Sequence, residues 1–201
     1  RLIADPMVLL VNSEQPHKSL KELIGDAKAN PDKLTFASSG LYGALHLPTA
    51  LFLKAAGLKL KHLPTNGGGP ALTALIGNNA QVLSSSIAAA TTQIKAGKAR
   101  PLACFGGKRA ASLPDVPTLK ESGLDVEFYL WVGLFAPKGT PDAIVAKLRE
   151  SAKVAALSPD FAQAMKNVGQ DVAYMDQPEF ARFWAEDAKL VRDAVATIGK
   201  V

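Results

Sequence analysis

The feature that most constrains this chain is a regular alternation of short apolar runs with helical segments between residues 34 and 105. The apolar runs predict strands at 34–38, 60–63, 81–84 and 102–105. The segments between them, at 44–56, 70–76 and 87–96, have apolar residues at helical spacing, and each ends at a glycine. Strands separated by helices form β-α-β units. The pattern therefore predicts an α/β fold with a parallel sheet covered by helices.

Regions on both sides of this alternation extend the prediction. Upstream, residues 7–11 are typical of a strand, and a capping box at Ser19 and Glu22 predicts a helix that stops at Asn30-Pro31. Downstream of Pro114 the pattern predicts a short helix at 118–123, strands at 132–136 and 172–175, and helices at 140–157, at 158–168 and from 176 onward.

Length and composition exclude several classes of protein. With 201 residues, 48% of them hydrophobic, the chain is long enough to bury a sizeable core. No apolar run reaches the roughly 18 residues that a membrane span requires, and no signal segment is recognisable. The first residue is Arg1 rather than Met, which predicts a processed or truncated product. Cys104 is the only cysteine, so neither an internal disulfide nor a cysteine-based zinc site is predicted.

Charge is distributed unevenly along the chain. Between Asp32 and Asp115 there is no acidic residue, although the same span carries Lys33, Lys54, Lys59, Lys61, Lys95, Lys98, Arg100, Lys108 and Arg109. Such a span attracts anions. The basic residues are scattered and few aromatic residues lie among them, so the pattern does not favour nucleic acid as the partner.

The loops that follow the predicted strands carry the candidate chemistry, because ligands of an open parallel sheet bind beyond the carboxyl ends of its strands. These loops are 38–44, 64–69, 84–86 and 105–108, and they contain glycines, hydroxyls and amides but no carboxylate. Glycines allow the backbone to approach a ligand, and a helix N-terminus presents free amides with partial positive charge. The loops therefore predict a site for a carboxylate or phosphate, although tight turns alone would also explain the glycines. The predicted ligand-binding residues are Ser38, Ser39, Gly40, Tyr42, Gly43, Ala44, His46, Thr65, Asn66, Ser84, Ser85 and Ser86.

Catalysis and cofactor binding are less well supported by the same residues. His46 and His62 are the only groups in the acid-free span suited to acid–base work, and no Gly-x-Ser-x-Gly elbow surrounds Ser84 to Ser86. For His46 a hydrogen bond to a ligand, a structural cap and catalysis all stay open, while His62 is predicted to be structural. The three glycines at 67–69 lack the spacing of nucleotide-binding loops, so no cofactor and no metal are predicted.

Several motifs, taken in order, resemble the solute-binding proteins of tripartite tricarboxylate transporters, often called the Bug family. The resemblance covers nearly the whole chain and is carried by Ser38-Ser39-Gly40 with Gly43 and His46-Leu47, Gly67-Gly68-Gly69-Pro70-Ala71, Gly97-Lys98-Ala99-Arg100 with Lys108-Arg109, Leu113-Pro114-Asp115-Val116-Pro117-Thr118, and Gly133-Leu134-Phe135-Ala136-Pro137 with Gly139-Thr140-Pro141.

The resemblance implies a two-lobed α/β fold of the periplasmic-binding-protein kind (type II, Venus-flytrap), with one complete doubly wound lobe and part of the second. It implies a hinge strand at residues 1–12, a ligand-binding lobe 2 at 13–129, and a returning segment at 130–201 that completes lobe 1, whose remainder is absent from the chain. It also implies a periplasmic protein that delivers a small carboxylate to the membrane permease subunits of a transporter.

Departures from the family pattern refine the expected ligand. Gly43 is followed by Ala44 where the family often has serine, Thr65-Asn66 replaces Tyr-Lys, and Ser85 replaces an aspartate. Because that aspartate would pair with a ligand amino group, the resemblance implies a carboxylate without a nearby ammonium rather than an amino acid. One alternative is the effector-sensing domain of a bacterial transcription regulator, and another is a small hydrolase or transferase.

Overall fold

The computed structural model describes residues 1–198. The strands in this range are β1 (Ile3–Asn12), β2 (Thr35–Ser38), β3 (Lys61–Pro64), β4 (Val82–Ser86), β5 (Ala99–Cys104) and β6 (Tyr129–Val132). The helices are α1 (Leu20–Ala29), α2 (His46–Ala56), α3 (Gly68–Ile76), α4 (Ile87–Lys95), α5 (Asp142–Ala156), α6 (Pro159–Asn167) and α7 (Gln177–Ile198). The predicted alternation of strands and helices between residues 34 and 105 is confirmed, and residues 199–201 of the predicted returning segment lie outside the described residues.

The main sheet differs from the predicted parallel sheet in one respect. Its strand order is β3-β2-β4-β1-β5. β2 pairs in parallel with β3 and with β4, as β-α-β units require. β1, however, lies between β4 and β5 and is antiparallel to both. The four strands predicted between residues 34 and 105 therefore run in one direction, as predicted, and the antiparallel strand β1 between two of them makes the sheet mixed.

β1 also belongs to a second pairing. Residues from Met7 onward pair with β4 and β5, whereas Ile3 to Pro6 pair with β6. One continuous strand thus joins the main sheet to the region that contains β6 and helices α5 to α7. Residues 1–12, predicted as a hinge strand, therefore have partners on both sides.

Local signals explain most helix ends. Ser19 caps α1 by accepting a hydrogen bond from the Glu22 amide, and Ser158 caps α6 in the same way through the Phe161 amide. Gly57 closes α2 with a positive φ of 65°, a conformation that glycine adopts without strain. The predicted helix at 118–123 forms only a turn: Thr118 and Glu121 make both bonds of a capping box, but Gly123 reverses the chain before a helix develops.

Two predicted strands are also displaced. The strand predicted at 132–136 is β6, which ends at Val132. The strand predicted at 172–175 is reduced to a single bridge between Val172 and Ile3, with the following backbone bonded to the first residues of the chain. In both cases the partner is the N-terminal end of β1.

The hydrophobic core lies between the main sheet and its helices. Phe52, Phe105 and Leu9 are fully enclosed there, together with most of β1. The region after β6 is less well covered, with Leu134, Phe135 and Trp184 about half exposed around an open groove of roughly 430 Å³. Within residues 1–198, no helix combines the length and apolar character needed to cross a membrane.

Candidate binding site

Three predicted loops lie side by side at the carboxyl edge of the main sheet. β2 is flanked by β3 and β4, so the loop after Ser38 lies between the loop after Pro64 and the loop after Ser86. The fourth predicted loop, 105–108, follows β5 and is separated from the others by the antiparallel strand β1. All four loops follow strands that run in the same direction, and β1 separates the fourth from the other three.

The first loop ends in a helix start whose amides are available. No side chain caps α2. The His46 and Leu47 amides donate to the Gly43 carbonyl, but those of Ala44 and Leu45 have no acceptor within residues 1–198. Beside them the Ser39 hydroxyl is likewise without a partner among the described residues. A free hydroxyl next to two free amides at a helix N-terminus is an arrangement suited to an anion.

The second loop brings another helix start next to the first. No side chain caps α3, and in the described chain the Gly68 and Gly69 amides donate to no acceptor. A β-carbon on Gly68 would lie 3.6 Å from Leu45 Cδ1, so the Leu45 side chain reaches the start of α3. Thr65 fixes the loop, because its hydroxyl donates to the carbonyl oxygens of Ser38 and Gly67, each at 2.9 Å. Asn66, at the tip, is exposed.

Glycines are required at two positions of these loops. Gly40 has φ 114°, a conformation that L-residues rarely adopt, and a β-carbon there would lie 3.7 Å from the Thr65 carbonyl oxygen. At Gly43 the restriction is one of space, since a β-carbon would lie 2.9 Å from Ser39 Oγ. Tyr42, which precedes Gly43, has a positive φ of 56°, and its ring is perpendicular to that of His46.

Two imidazole rings lie beneath the first loop. His46 and His62 are in ring contact with centroids 4.5 Å apart, and Phe36 stacks on His62 at 4.6 Å. Nδ1 of His46 accepts the Tyr42 amide at 3.2 Å, so the neutral ring carries its proton on Nε2. The Ser38 hydroxyl lies 2.6 Å from Nε2 of His62. Ser38 and His46 are both buried and hold the loop from inside.

Burial gives these histidines a low affinity for protons. Desolvation lowers the pKa of His46, and desolvation together with the neighbouring His46 lowers the pKa of His62 from 6.5 to about 4. Both rings are therefore neutral at pH 7, and the first loop relies on neutral donors rather than on imidazolium charge.

We expect the stability of the protein to decrease as the pH falls from about 6.5 to about 4. In this range the unfolded chain binds a proton at His62 and the folded protein does not, so acid favours unfolding. The slope for one proton is at most about 1.4 kcal/mol per pH unit, and solvent around the half-buried ring reduces it. Urea unfolding of the wild type and of His62→Gln, which keeps a side chain able to bond Ser38, measures the effect. The variant should show a flatter dependence, and an unchanged slope would contradict the assignment to His62.

The third loop is mostly turned inward. Ser84 is fully buried and accepts a hydrogen bond from the Thr49 hydroxyl at 2.8 Å, which ties α2 to β4. Ser86 caps α4 by accepting the Ala89 amide at 3.3 Å. Ser85 is 4% exposed, and its hydroxyl has no partner in the described part of the chain. Of the three serines, Ser85 is the one whose hydroxyl is not already engaged.

The structure brings an acid to this edge that the sequence analysis missed. Asp5 is 3% exposed and lies two residues beyond Met7, which pairs with Ser86. Because β1 is antiparallel to β4, Asp5 lies past the carboxyl end of β4, next to the third loop. Gln170 donates to its carboxylate at 3.1 Å. Burial raises the pKa of Asp5, and hydrogen bonding from Gln170, the Ala88 amide and the Ser86 hydroxyl opposes that rise. The available signal was an acid inside an otherwise apolar strand.

The fourth loop has a different environment. The Gly107 amide donates to the Tyr129 hydroxyl at 2.8 Å, and a β-carbon on Gly107 would lie 3.0 Å from the carboxylate of Glu127. Glu127 in turn forms an ion pair with Lys120. Across residues 1–198 there is no cluster of three or more His, Cys, Asp or Glu side chains arranged to hold a metal ion.

Comparison with known proteins places this geometry in context. A family model described as "Tripartite tricarboxylate transporter family receptor" matches residues 1–199. A UPF0065 protein encoded in the gbd 5' region of Cupriavidus necator is 35% identical over 191 residues, covering 95% of this chain and 58% of the relative. The chain therefore spans about three fifths of that relative's length.

Solved structures match nearly the whole chain. A protein described as R. palustris Rpa4515 with adipate matches with a TM-score of 0.92 and 26% identity, over 98% of this chain and 67% of that one. The periplasmic binding protein BugD matches with a TM-score of 0.82 and 34% identity, over 98% of this chain and 65% of that one. These likenesses confirm the predicted fold, that of a type II periplasmic binding protein represented in part.

Proposed function

This chain belongs to the receptor family of the tripartite tricarboxylate transporters, which confirms the resemblance found in its motifs, and on that premise we propose that it captures a small carboxylate for uptake. The family is one of receptors rather than of enzymes. A relative of the same fold was solved with adipate, a carboxylate. The remaining points of the proposal rest on the site itself.

The observation that carries the proposal is the adjacency of two uncapped helix starts, which follow the neighbouring parallel strands β2 and β3. Two amides of the turn before α2 and two amides at the start of α3 have no acceptor within the described chain, and the Ser39 hydroxyl lies with the first pair. Neither loop contains an acidic side chain. A carboxylate bound between the two helices would accept these hydrogen bonds and would gain from both helix dipoles.

The predicted site residues then divide into two roles. Those proposed to touch the ligand are of two kinds: groups without an acceptor or donor among the described residues, at Ser39, Ala44, Asn66 and Ser85, and residues of the first loop beside them, Gly40, Tyr42 and Gly43. Those proposed to hold the loops have hydroxyl or ring groups already bonded inside the protein: Ser38, His46, Thr65, Ser84 and Ser86.

We further propose a periplasmic location and delivery of the ligand to the permease subunits of a tripartite transporter, since both are properties of a receptor of this family. The alternative of a transcription regulator finds no support in the matches described above. Nucleic acid is not proposed as a partner, because the basic residues of the acid-free span are scattered and few aromatic residues lie among them.

A calorimetric screen of the protein as its gene encodes it, including any flanking residues, tests the proposal. We expect saturable binding of at least one linear aliphatic carboxylate with a dissociation constant of about 1 μM or tighter, and no binding of the corresponding primary amide. The amide has the same shape without the negative charge, so equal affinity for acid and amide would refute an anion site. An amino acid as the best ligand would contradict the expectation of a carboxylate without a nearby ammonium.

A further inference from the structure

The carboxyl edge of the main sheet carries different groups on its two sides. On the side of β2 and β3, the helix starts of α2 and α3 present free amides and the loops contain no acid. On the side of β1 and β5, Asp5 adjoins the third loop and Glu127 adjoins the fourth. Lys108 is exposed in the fourth loop, where solvent screens it, and Lys120 is already paired with Glu127 and Asp125.

The helix start nearest Asp5 is no longer available to a ligand. The Ser86 hydroxyl accepts a hydrogen bond from the Ala89 amide of α4, and the Ala88 amide interacts with the Asp5 carboxyl. Asp5 therefore takes the position at α4 that a ligand anion would otherwise occupy. This is the opposite of α2 and α3, whose first amides are without a partner in the described chain.

Burial is the largest influence on Asp5 and raises its pKa, while the hydrogen bonds around it favour the ionised form and keep the carboxyl in place. Gln170 donates to the carboxyl through its side-chain nitrogen, the Ala88 amide can only donate, and the Ser86 hydroxyl, which already accepts the Ala89 amide, has its proton left to donate. Gln170 comes from the segment after α6, so Asp5 is held from both sides of β1. With its oxygens engaged and 3% exposure, it is not placed to pair with a ligand ammonium.

We propose that Asp5 is a specificity-determining residue that restricts the crevice to ligands with a single carboxylate, bound between α2 and α3. This inference rests on the proposed function and specifies its ligand class. In its ionised form Asp5 would repel a second carboxylate reaching toward the third loop, because like charges repel strongly in a partly desolvated place. The remainder of the ligand, facing Ser85, carries no negative charge.

The experiment compares adipate with monomethyl adipate, which have the same chain length and differ by one charge. We expect the wild type to bind the monoester about tenfold more tightly than the diacid, and Asp5→Asn to bring the ratio to about one. Asp5→Ser should act in the same direction, and circular dichroism melting identifies variants that are folded. Asp171→Asn is the matched control, because Asp171 is an exposed acid beside Gln170 and should change the ratio less than about twofold.

The outcomes separate this inference from the proposed function. A wild-type preference for the diacid, or a ratio that Asp5→Asn and Asp5→Ser leave unchanged, overturns the role of Asp5 while carboxylate binding stands. An equal effect of Asp171→Asn overturns it as well. If neither compound nor any shorter carboxylate binds the wild type, the proposed function fails, and this inference fails with it.

Discussion

Replacing Ser39 with aspartate is expected to abolish carboxylate binding while the protein stays folded. The Ser39 hydroxyl lies beside the free amides that precede α2, and no partner within residues 1–198 holds it. A carboxylate at this position would take those amides for itself and repel the ligand. Two like charges about 4 Å apart near a protein surface repel by about 4 kcal/mol, which corresponds to a loss of more than a hundredfold in affinity. Calorimetric titration with the best carboxylate of the screen measures it.

Two further variants make this result interpretable. Ser39→Ala removes one hydrogen bond without adding charge and should weaken binding only about tenfold. Ser151→Asp introduces the same charge at an exposed serine on α5 and should leave affinity unchanged. Because Ser39 is partly exposed, the melting temperature of Ser39→Asp should stay within a few degrees of the wild type. Retained affinity in a folded Ser39→Asp variant would remove the anion site from the start of α2.

Truncating Phe52 to alanine is expected to have the largest effect on stability. Phe52 is fully buried on α2 and is among the largest enclosed side chains of the core. Its loss removes a large apolar area and leaves a cavity, which together cost about 3–5 kcal/mol. A domain of ordinary stability has about 5–15 kcal/mol in total, so the variant should unfold at a much lower urea concentration.

Phe135→Ala provides the control for the same chemical change at an exposed place. Phe135 is 55% exposed, although it contacts the rings of Phe180 and Trp184. Its truncation should cost no more than about 1 kcal/mol. A comparable loss in both variants would mean that the region after β6 contributes to the core as much as α2 does. Since α2 also presents the binding amides, Phe52→Ala should weaken ligand binding only in proportion to the unfolded fraction.

Local signals explain which parts of the fold could be predicted. Serine caps, closing glycines and apolar spacing act within a few residues, and they located α1 to α4 and the loops between them. The segment after Thr118 shows the limit of such local signals. Its capping pair is present as predicted, but the segment forms a turn that ends at Gly123 rather than a helix. The pairing of the strands could not be predicted from local signals, because nothing within residues 7–11 indicates that this run inserts between β4 and β5.

The same limit applies to the candidate site. The first two loops and their helix starts follow each other closely along the chain, so their adjacency could be anticipated from β-α-β geometry. Asp5 could not be placed, because its position depends on pairing across about eighty residues between Met7 and Ser86. Nor does the run Ser84 to Ser86 indicate which hydroxyl is free, since all three residues are buried and their partners come from α2, α4 and β1.

The continuity of β1 affects how the protein unfolds. This strand supplies hydrogen-bond partners to β4, β5 and β6 at once. If either the main sheet or the pairing with β6 unfolds, backbone amides and carbonyls of this one ten-residue strand lose their hydrogen-bond partners. Thermal disruption that begins in the sparsely covered helices after β6 is thereby transmitted to the core through covalent connection and shared pairing. The chain should accordingly lose its structure as one cooperative unit rather than lobe by lobe.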